Sequence, residues 1–317
     1  MARFILRRIL QAAFVLLVMS FVIYSLIGLM PGDPIDIMIA SNPGATPELA
    51  AALRKIYGLD QPLLSRYGHW LWAAVQGDFG YSRLHSAPVL AVLAPALWQT
   101  CKLMLISFTA AVLLAFALGI VAALRPGGPV DALISLFAFA GISVPVFWLA
   151  LMMILVFAVD LHWFPASGIA TVGDGSIRDY ARHMVMPVIT LALAQTGGFT
   201  RFVRASMIES LRSDHVRTAR AKGAGEGRVV LVHAFRTALI PVVTVMALNF
   251  GSLFGGALLT ETMFAQPGMG KMIYDSILGN DYNLALTGLL FATLVTLLSN
   301  LLADIAYGWL DPRITLA

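Results

Sequence analysis

Long apolar runs, separated by shorter polar stretches, form the dominant pattern along this chain. A helix needs roughly 20 apolar residues to cross about 30 Å of hydrocarbon. The runs predict an all-α membrane protein with six transmembrane helices, at approximately residues 9–30, 102–124, 132–159, 184–200, 238–260 and 283–306. The fourth run is short and has Pro187 near its start, so the pattern leaves its bounds open by several residues.

The longest polar stretch follows the first run, over residues 31–98. It contains the motifs PGDP at 31–34 and GDFGYS at 77–82, with little continuous apolar sequence. This pattern predicts short amphipathic helices separated by turns. Because a loop of this length is uncommon without a function or a substructure of its own, we expect it to be a docking surface for a partner outside the membrane.

Positive charge is concentrated on one side of the predicted bundle. Eight of the 21 Lys and Arg residues lie in residues 201–236. With the N-terminus, the Arg125 turn and Arg313, this side carries thirteen basic residues, and the opposite loops carry seven. The positive-inside rule therefore places residues 201–236 and both termini in the cytoplasm. Asp304 lies near the same end of the last run, where a structural role is expected.

Composition narrows the chemistry that the chain can perform. Hydrophobic residues make up 59% of it and the mean hydropathy is +0.83, which excludes a soluble globular domain. Cys101 is the single cysteine, so no disulfide framework or cysteine-rich metal site is possible. The sequence PGMGKM at 267–272 has Ala265 and Met272 where a phosphate-binding loop needs Gly and Ser or Thr. We expect no catalytic residue, metal or cofactor in this chain.

The basic stretch has a pattern of its own. Residues 206–222 have a helix-compatible composition, with Ser213 or Asp214 as the N-cap candidate and Gly223 able to end the helix. Val216, Ala219 and Gly223 would share one face, where small residues permit close approach by another surface. Arg217, Arg220 and Lys222 would project from the flanks. On composition alone, a basic loop that fixes topology and contacts anionic lipid remains the alternative.

The sequence RTARAKGAGEGRVVLVHAFRTALIP at 217–241 resembles the coupling-loop signature of permease subunits in bacterial ABC importers. That signature reads E-A-A, three residues, Gly, nine residues, I-x-L-P. Arg217 to Ala219 occupy the E-A-A places, Gly223 matches the glycine, and residues 233–236 stand where I-x-L-P is expected. The chain departs from the signature at two places, with Arg217 in place of the acidic residue and Arg236 in place of the proline. The loop sequences of the dipeptide and oligopeptide permease branch resemble this one at those places.

The resemblance extends over nearly the whole chain. It includes PGDP, YGLDQPLLSRYGHWL and GDFGYS near the N-terminus, SVPVFWLALMMILVFA in the middle, and GGALLTETMFAQPGMGKMIYDSILGNDY towards the C-terminus. It implies a type I ABC importer transmembrane domain in the bacterial inner membrane. The implied partners are a second homologous permease, two cytoplasmic ATPase subunits that bind ATP and Mg²⁺, a periplasmic or lipid-anchored substrate-binding protein, and membrane lipid, with no nucleic acid.

The resemblance also assigns a coupling helix, which rests in a groove of one ATPase and moves as a rigid lever when ATP closes the ATPase pair. On this chain the helix comprises His215, Val216, Arg217, Thr218, Ala219, Arg220, Ala221, Lys222 and Gly223. The chain then divides into a membrane helix with a periplasmic loop at 1–98, a transmembrane core at 99–310 with the coupling loop at 206–236, and a cytoplasmic tail at 311–317.

A second group of residues is a candidate for the translocation pathway. Pro145 interrupts the third run, and a helix broken at proline can face a central pathway or pack against a neighbour. The candidates are Ser143, Pro145, Phe147 and Trp148 around that break, with Gln195 and Asn249 as polar positions within other runs. Ordinary packing is the competing interpretation for all six.

We therefore predict a permease that forms half of the pathway for di- or oligopeptides and hydrolyses no ATP itself. Another small solute, such as glutathione or a nickel chelate, is the first alternative within the same importer class. The second alternative is a secondary transporter driven by an ion gradient, which would require midplane carboxylates or paired broken helices that the runs do not clearly carry. A third is a passive structural subunit.

Overall fold

The computed structural model describes residues 2–29, 61–251 and 253–310. Most of these residues are helical, and the sheet among them is a two-stranded hairpin. The PGDP motif and residues 35–60 of the predicted docking stretch lie outside the described residues, as does the tail at 311–317.

Helix α1 (Ala2–Ile27) covers residues 9–27 of the first predicted span at 9–30, and helix α2 (Leu63–Val75) packs beside its C-terminal half. The hydroxyls of Ser20 and Tyr67 are 2.8 Å apart, and the rings of Tyr24, Tyr67 and Trp70 form one aromatic cluster. The amphipathic pattern read in residues 63–75 therefore forms a helix, with its aromatic face on α1.

A short hairpin follows, with β1 (Tyr81–Ser82) antiparallel to β2 (Ala87–Pro88). Asp281 ties the hairpin to a distant part of the chain. Its carboxylate accepts hydrogen bonds from the Ser82 hydroxyl at 2.6 Å and the Leu84 backbone N–H at 3.0 Å. This end of the fold is therefore closed by contacts between residues about 200 positions apart in the sequence.

Helix α3 (Val89–Leu124) begins thirteen residues before the predicted second span at 102–124. The expectation that residues 89–98 belong to a loop is wrong. Pro95 and Gln99 interrupt the apolar pattern there, but both lie inside the helix. Gln99 is buried because its amide donates to Gln266 at 3.0 Å and its carbonyl accepts from Tyr180 at 3.1 Å. Tertiary partners thus extend the helix beyond its apolar run.

The third predicted span at 132–159 is broken. Helix α4 (Pro129–Ser143) ends before Pro145, and helix α5 (Val146–Met153) continues as π-helical turns over Ile154–Asp160. The axes of the two parts meet at 103°. The residue before a proline is pushed towards extended backbone, and Val144 accordingly has ψ 122°. The expected kink at Pro145 is thus a sharp bend.

Helix α6 (Ile177–Leu211) covers the fourth predicted span at 184–200 and is much longer than it. Ser176 caps its start, since its hydroxyl accepts from the Asp179 N–H at 3.1 Å. Pro187 lies inside the helix. Because proline only removes one hydrogen bond of the preceding turn, it marks no boundary here.

Beyond α6 come α7 (Asp214–Ala221), α8 (Glu226–Arg228), π-helical turns at Val229–Ala234 and α9 (Phe235–Phe250). Helices α10 (Leu253–Met263), α11 (Met269–Leu278) and α12 (Tyr282–Leu310) complete the described chain. Within the described ranges, four segments are long and apolar enough to cross a membrane, at 5–27, 89–124, 226–247 and 282–305, and the bent pair α4–α5 makes a fifth. Helix α6 is long enough but less apolar.

The core lies between α3 and α6, which run parallel. Val89 and Leu93 share a buried cluster with Met184 near the N-terminal ends, and Ala123 shares another with Met207 near the C-terminal ends. Helix α12 also starts at the first of these ends, where Leu284 is buried with Val89. Its Asp304 therefore lies towards the second end, where it pairs with Arg8 of α1 at 3.1 Å. The N-terminus, the Arg125 turn and α7 thus share one end of the bundle.

Candidate functional site

Helix α7 is the first part of the candidate site, and local sequence explains its start. The chain leaves α6 at Leu211, and Ser213 occupies the N-cap with ψ 155°. The Ser213 hydroxyl donates to the Ser210 carbonyl at 2.5 Å. Asp214 in the first turn is favourable beside the positive end of the helix dipole. Of the two N-cap candidates from the sequence, Ser213 and Asp214, the structure selects Ser213.

The end of α7 explains Gly223. Gly223 has φ +80°. Its N–H donates to the Arg220 carbonyl at 2.9 Å, and the Ala224 N–H donates to the Ala219 carbonyl at 3.2 Å. These two bonds form a Schellman motif, which needs a left-handed residue at the position after the C-cap. Glycine adopts that conformation without steric cost. A Cβ at Gly223 would meet nothing within 4 Å, so conformation rather than space selects glycine.

The small-residue face of α7 packs against the chain itself. Val216 is fully buried, in one cluster with Met207 of α6 and Val229 and Ala234 of the following π-helical turns, and Ala219 is nearly fully buried. The surface that approaches this face therefore belongs to the chain itself. Small residues do permit close approach here, but the approaching surface is α6 and residues 229–234. Their burial fixes α7 rigidly to both neighbouring helices.

The exposed face of α7 is charged. Arg217 pairs with Asp214 at 3.0 Å, with side chains 73% and 94% exposed, and Arg220 pairs with Glu226 at 2.9 Å. The hydrogen bond that Arg220 donates to Glu226 raises the pKa of the Arg220 guanidinium above its ordinary value. Lys222 is also exposed. The predicted flank positions of Arg217, Arg220 and Lys222 are confirmed, and these side chains form the exposed surface of α7.

His215 joins α7 to α9. Its Nε2 lies 3.3 Å from the His233 carbonyl oxygen and 3.2 Å from the Thr237 hydroxyl. Ser210 and Ser206 join α6 to the π-helical turns and to α9, because their hydroxyls donate to the Ala234 and Ala238 carbonyls at 2.7 and 3.0 Å. Displacement of α7 would therefore be transmitted to both α6 and α9.

The bend between α4 and α5 is the second part of the site. Ser143 ends α4, and Pro145 is the N-cap of α5. Phe147 and Trp148 are 45% and 47% exposed. The structure thus brings these four predicted pathway residues together at an exposed break in the helix pair, where freed backbone groups also accumulate.

The other two pathway candidates separate. Gln195 lines a cleft between α4 and α6 that reaches Ile142, beside Ser143. Asn249 does not line this cleft, and its side-chain amide donates to the Val245 carbonyl of its own helix at 2.8 Å. The site that the geometry supports is therefore the bend with the adjoining α4–α6 cleft.

The α7 end of this cleft is clamped by an ion pair that sequence reasoning missed. Arg204 of α6 donates to both carboxylate oxygens of the buried Asp131 of α4, at 2.5 and 2.7 Å. The Gly127 N–H donates to the same carboxylate at 2.7 Å. Two planar groups in this fork geometry hold α4 against α6 with a defined orientation.

We expect the substitution Asp131→Ala to lower the free energy of unfolding by about 1–3 kcal/mol, because the guanidinium and the Gly127 N–H lose their acceptor. Arg204→Ala should have a similar effect. The double variant should cost less than the sum of the two single changes, since both remove one interaction. Thermal unfolding of the purified protein measures all three, and strict additivity would contradict a direct pair.

A third cluster, also missed from sequence, surrounds Glu261. This side chain is fully buried, and its carboxyl oxygens accept from the Thr100 hydroxyl at 2.5 Å and from the Gly270 and Lys271 N–H groups at 2.8 and 3.2 Å. It therefore caps the N-terminus of α11, whose first N–H groups have no partner within the helix.

The PGMGKM motif is explained by this cap. A Cβ at Gly268 would lie 2.1 Å from the Glu261 carboxyl carbon, and one at Gly270 would lie 2.5 Å from Leu258 Cα. The two glycines let backbone N–H groups close around an acidic side chain at a helix N-terminus, as a phosphate loop closes around phosphate. A glutamate near the end of one apolar run, followed by a Gly-x-Gly, is the signal that could have revealed the cap.

Comparison with protein families matches nearly the whole chain. Residues 115–316 match the binding-protein-dependent transport system inner membrane component family. Residues 1–114 match the N-terminal membrane component of the same transport systems.

Curated relatives match along their full lengths. The oligopeptide transport system permease protein AppB of Bacillus subtilis is 36% identical over 320 residues, with 99% of each chain covered. The dipeptide transport system permease protein DppB of Alkalihalophilus pseudofirmus is 36% identical over 333 residues, again with 99% of each chain covered.

Two solved structures share the fold. The inward-facing MetNI methionine ABC transporter matches with a TM-score of 0.57 at 17% identity, over 70% of this chain and 97% of that one. An amino acid ABC transporter with histidines matches with a TM-score of 0.51 at 15% identity, over 68% and 93%. The helical architecture is that of a type I ABC importer transmembrane domain.

Proposed function

We propose, from the premise that this chain belongs to the family of inner membrane components of binding-protein-dependent transport systems, that it is the permease subunit of an ATP-driven peptide importer. In this role it spans the inner membrane several times and forms half of the translocation pathway, beside a second permease. The names of its curated relatives favour peptides over glutathione, a nickel chelate or a gradient-driven mechanism.

The observation that carries the proposal is the rigid attachment of α7. Its apolar side is buried between α6 and the turns that lead into α9, and its outer side presents Arg217, Arg220 and Lys222. A helix held in this way transmits a push or rotation to two long helices instead of yielding locally. We infer that α7 is the coupling helix, that two ATPase subunits contact it and its counterpart, and that this end of the bundle, with both termini, is cytoplasmic.

The remaining features have roles consistent with that assignment. The bend at Pro145 and the α4–α6 cleft supply an irregular helical surface with polar groups, as membrane proteins use where a pathway is lined. ATP and Mg²⁺ belong to the ATPase subunits. A substrate-binding protein delivers peptide at the opposite end, and the region at 31–88 is the surface we propose for its docking. The three segments proposed from sequence, at 1–98, 99–310 and 311–317, divide these tasks, although the first boundary falls within α3.

We expect Gly223→Asp to lower peptide uptake by about tenfold while expression and membrane insertion stay normal. Aspartate at φ +80° costs about 1 kcal/mol of backbone strain, which favours unwinding of the Schellman end and reorientation of α7. The new side chain meets open space, so the helix bundle should still fold. Uptake into proteoliposomes containing the complete importer, with ATP inside, is the measurement.

Gly225→Asp is the matched control. Gly225 has φ −64°, lies in equally open space and is the N-cap of α8, where aspartate is favourable. It adds the same charge two residues away without strain, so its uptake should match the wild type. Normal transport by Gly223→Asp would show that the coupling assignment is wrong.

The partner assignments have a separate test. We expect gentle purification of this chain from its native membrane to retain a second permease and ATPase subunits, identified by mass spectrometry. Recovery of the chain alone, under conditions that preserve other membrane complexes, would instead support a gradient-driven transporter. Uptake by the isolated chain in liposomes with an ion gradient and no ATPase would support that alternative directly.

A further inference from the structure

The cleft between α4 and α6 has a mixed lining that suits more than helix packing. It encloses about 770 Å³. Its polar side chains are Ser135, Gln195, Arg201 and Arg204, and aromatic and aliphatic groups of Phe139, Ile142 and Phe202 complete the walls. Small-molecule sites commonly have this volume, with mostly apolar walls and a few polar groups that set orientation.

The two arginines of the cleft are in different states. Asp131 neutralises Arg204 through two hydrogen bonds. Arg201 lies over the Phe139 ring, with its guanidinium carbon 4.8 Å from the ring centre, and no carboxylate of the described residues pairs with it. Gln195 likewise has an amide without a hydrogen-bond partner among those residues. The cleft therefore presents one uncompensated positive charge and one free amide.

The position of Arg201 leaves its charge accessible to water. It lies ten residues before the end of α6 at Leu211, or about 15 Å along the helix. Helix α6 itself, at 35 residues, is about 52 Å long and extends beyond the hydrocarbon layer. The fourth predicted span ends at residue 200, so Arg201 lies at the predicted cytoplasmic boundary of that span. Its exposed side chain opens into the cleft.

We propose that Arg201 binds the C-terminal carboxylate of a peptide in transit, with the Gln195 amide as a second hydrogen-bonding group. A guanidinium recognises a carboxylate through two parallel N–H···O bonds. Phe139, Ile142 and Phe202 contact the apolar side chains of the same peptide. The cleft continues past Arg201 towards Gln195 and the bend at Ser143, which gives an extended chain room beyond its carboxylate.

The interaction between Arg201 and the peptide carboxylate is weak in this arrangement. A cation–π contact leaves the Arg201 guanidinium oriented but not neutralised, and a single arginine supplies less attraction than a cluster would. A transport site must admit its ligand and also release it. This inference rests on the proposed function and names the group of the peptide that the permease itself contacts.

The test compares peptide uptake by the complete importer, with its binding protein, in proteoliposomes. Uptake is measured for one peptide with a free C-terminal carboxylate and for its C-terminal amide, chosen so that the wild type imports both. Each variant is expressed as a fraction of the wild type for the same peptide, so the preference of the binding protein cancels. We expect Arg201→Gln to lower uptake of the free acid about tenfold and that of the amide less than about twofold.

Two further variants sharpen the comparison. Arg201→Lys, which keeps the charge but not the fork of donors, should give an intermediate loss for the free acid. Arg125→Gln removes an exposed arginine outside the cleft by the same chemical change and should alter neither peptide. Size-exclusion chromatography of each purified importer shows whether the subunits remain assembled.

Several outcomes overturn the inference. Equal loss for both peptides, or loss that follows disassembly of the complex, would show that Arg201 pairs with the second permease. An unchanged free-acid rate in Arg201→Gln would remove the carboxylate contact while leaving the proposed function intact. Failure of the wild type to import any peptide with ATP would overturn the proposed function and this inference together.

Discussion

Replacement of Gly197 by alanine is expected to lower the thermal stability of this protein strongly. A Cβ at Gly197 of α6 would lie 2.3 Å from the Ala138 carbonyl oxygen and 3.2 Å from Ile142 Cγ1, both on α4. Gly141 faces the same crossing, because its own Cβ would lie 3.9 Å from the Gly197 Cα. Glycines let membrane helices approach closely. Since backbone atoms block the methyl group, α4 must move away from α6.

We expect Gly197→Ala to lower the free energy of unfolding by at least about 1–3 kcal/mol, which is the usual cost of overpacking a core. It should be larger than this where α4 separates enough to loosen the Asp131–Arg204 pair at the same interface. The measurement is the fraction of intact importer that survives heating in detergent, followed by size-exclusion chromatography. Peptide uptake should fall with it, because α4 and α6 enclose the cleft.

The next residue provides the control. A Cβ at Gly198 would meet nothing within 4 Å, although Gly198 lies in the same helix. Gly198→Ala should leave stability unchanged or raise it by up to about 1 kcal/mol through helix propensity. Gly197→Ala should therefore lower the thermal stability, whereas Gly198→Ala should not. Similar behaviour of both variants would contradict the close approach at Gly197.

Removal of the Glu261 side chain is expected to have a comparable or larger effect. Glu261→Ala would leave the Gly270 and Lys271 N–H groups without their acceptor and open a cavity between α3, α10 and α11. Each buried polar group left unsatisfied costs about 1–3 kcal/mol. We therefore expect little folded protein after Glu261→Ala, measured as monodisperse importer recovered in detergent.

Glu261→Gln separates shape from charge. The amide oxygen can accept from the Gly270 and Lys271 N–H groups, and the amide nitrogen can donate to the Thr100 hydroxyl, which then donates to the Ala96 carbonyl at 3.2 Å. We expect this variant to fold. Glu209→Ala, which removes an exposed glutamate from α6, is the control for expression and should behave as the wild type. Normal recovery of Glu261→Ala would refute the capping role.

The ends of helix α7 could be predicted from sequence because their signals are local. Ser213 begins α7 and Gly223 ends it, and both effects depend on backbone groups within a few residues. The same local pattern does not say which face of α7 meets a partner. Val216 and Ala219 are buried, and Val216 packs against α6 and residues 229–234, which only the tertiary fold brings there.

Polar residues inside apolar runs were the hardest to place. Gln99 lies just before the predicted second span and Glu261 just after the fifth, yet both are buried and hydrogen-bonded to residues more than 150 positions away. Asp131 and Arg204 are 73 positions apart and form a bidentate pair. A sequence pattern weighs the cost of placing each such group in hydrocarbon but contains no information about the partner that removes this cost.

The sequence by itself determined that the protein lies in lipid, that it is helical and which end of the bundle carries the positive charge. Runs of apolar residues select lipid, and lipid permits only backbones whose hydrogen bonds are satisfied internally, so helices follow. Ordered motifs added the permease family. Tertiary structure alone decided the 103° bend at Pro145, the inward face of α7 and the cleft around Arg201. Those features depend on which helices meet. Contacts between distant residues determine where a membrane helix bends and what its polar side chains face, and local propensity does not.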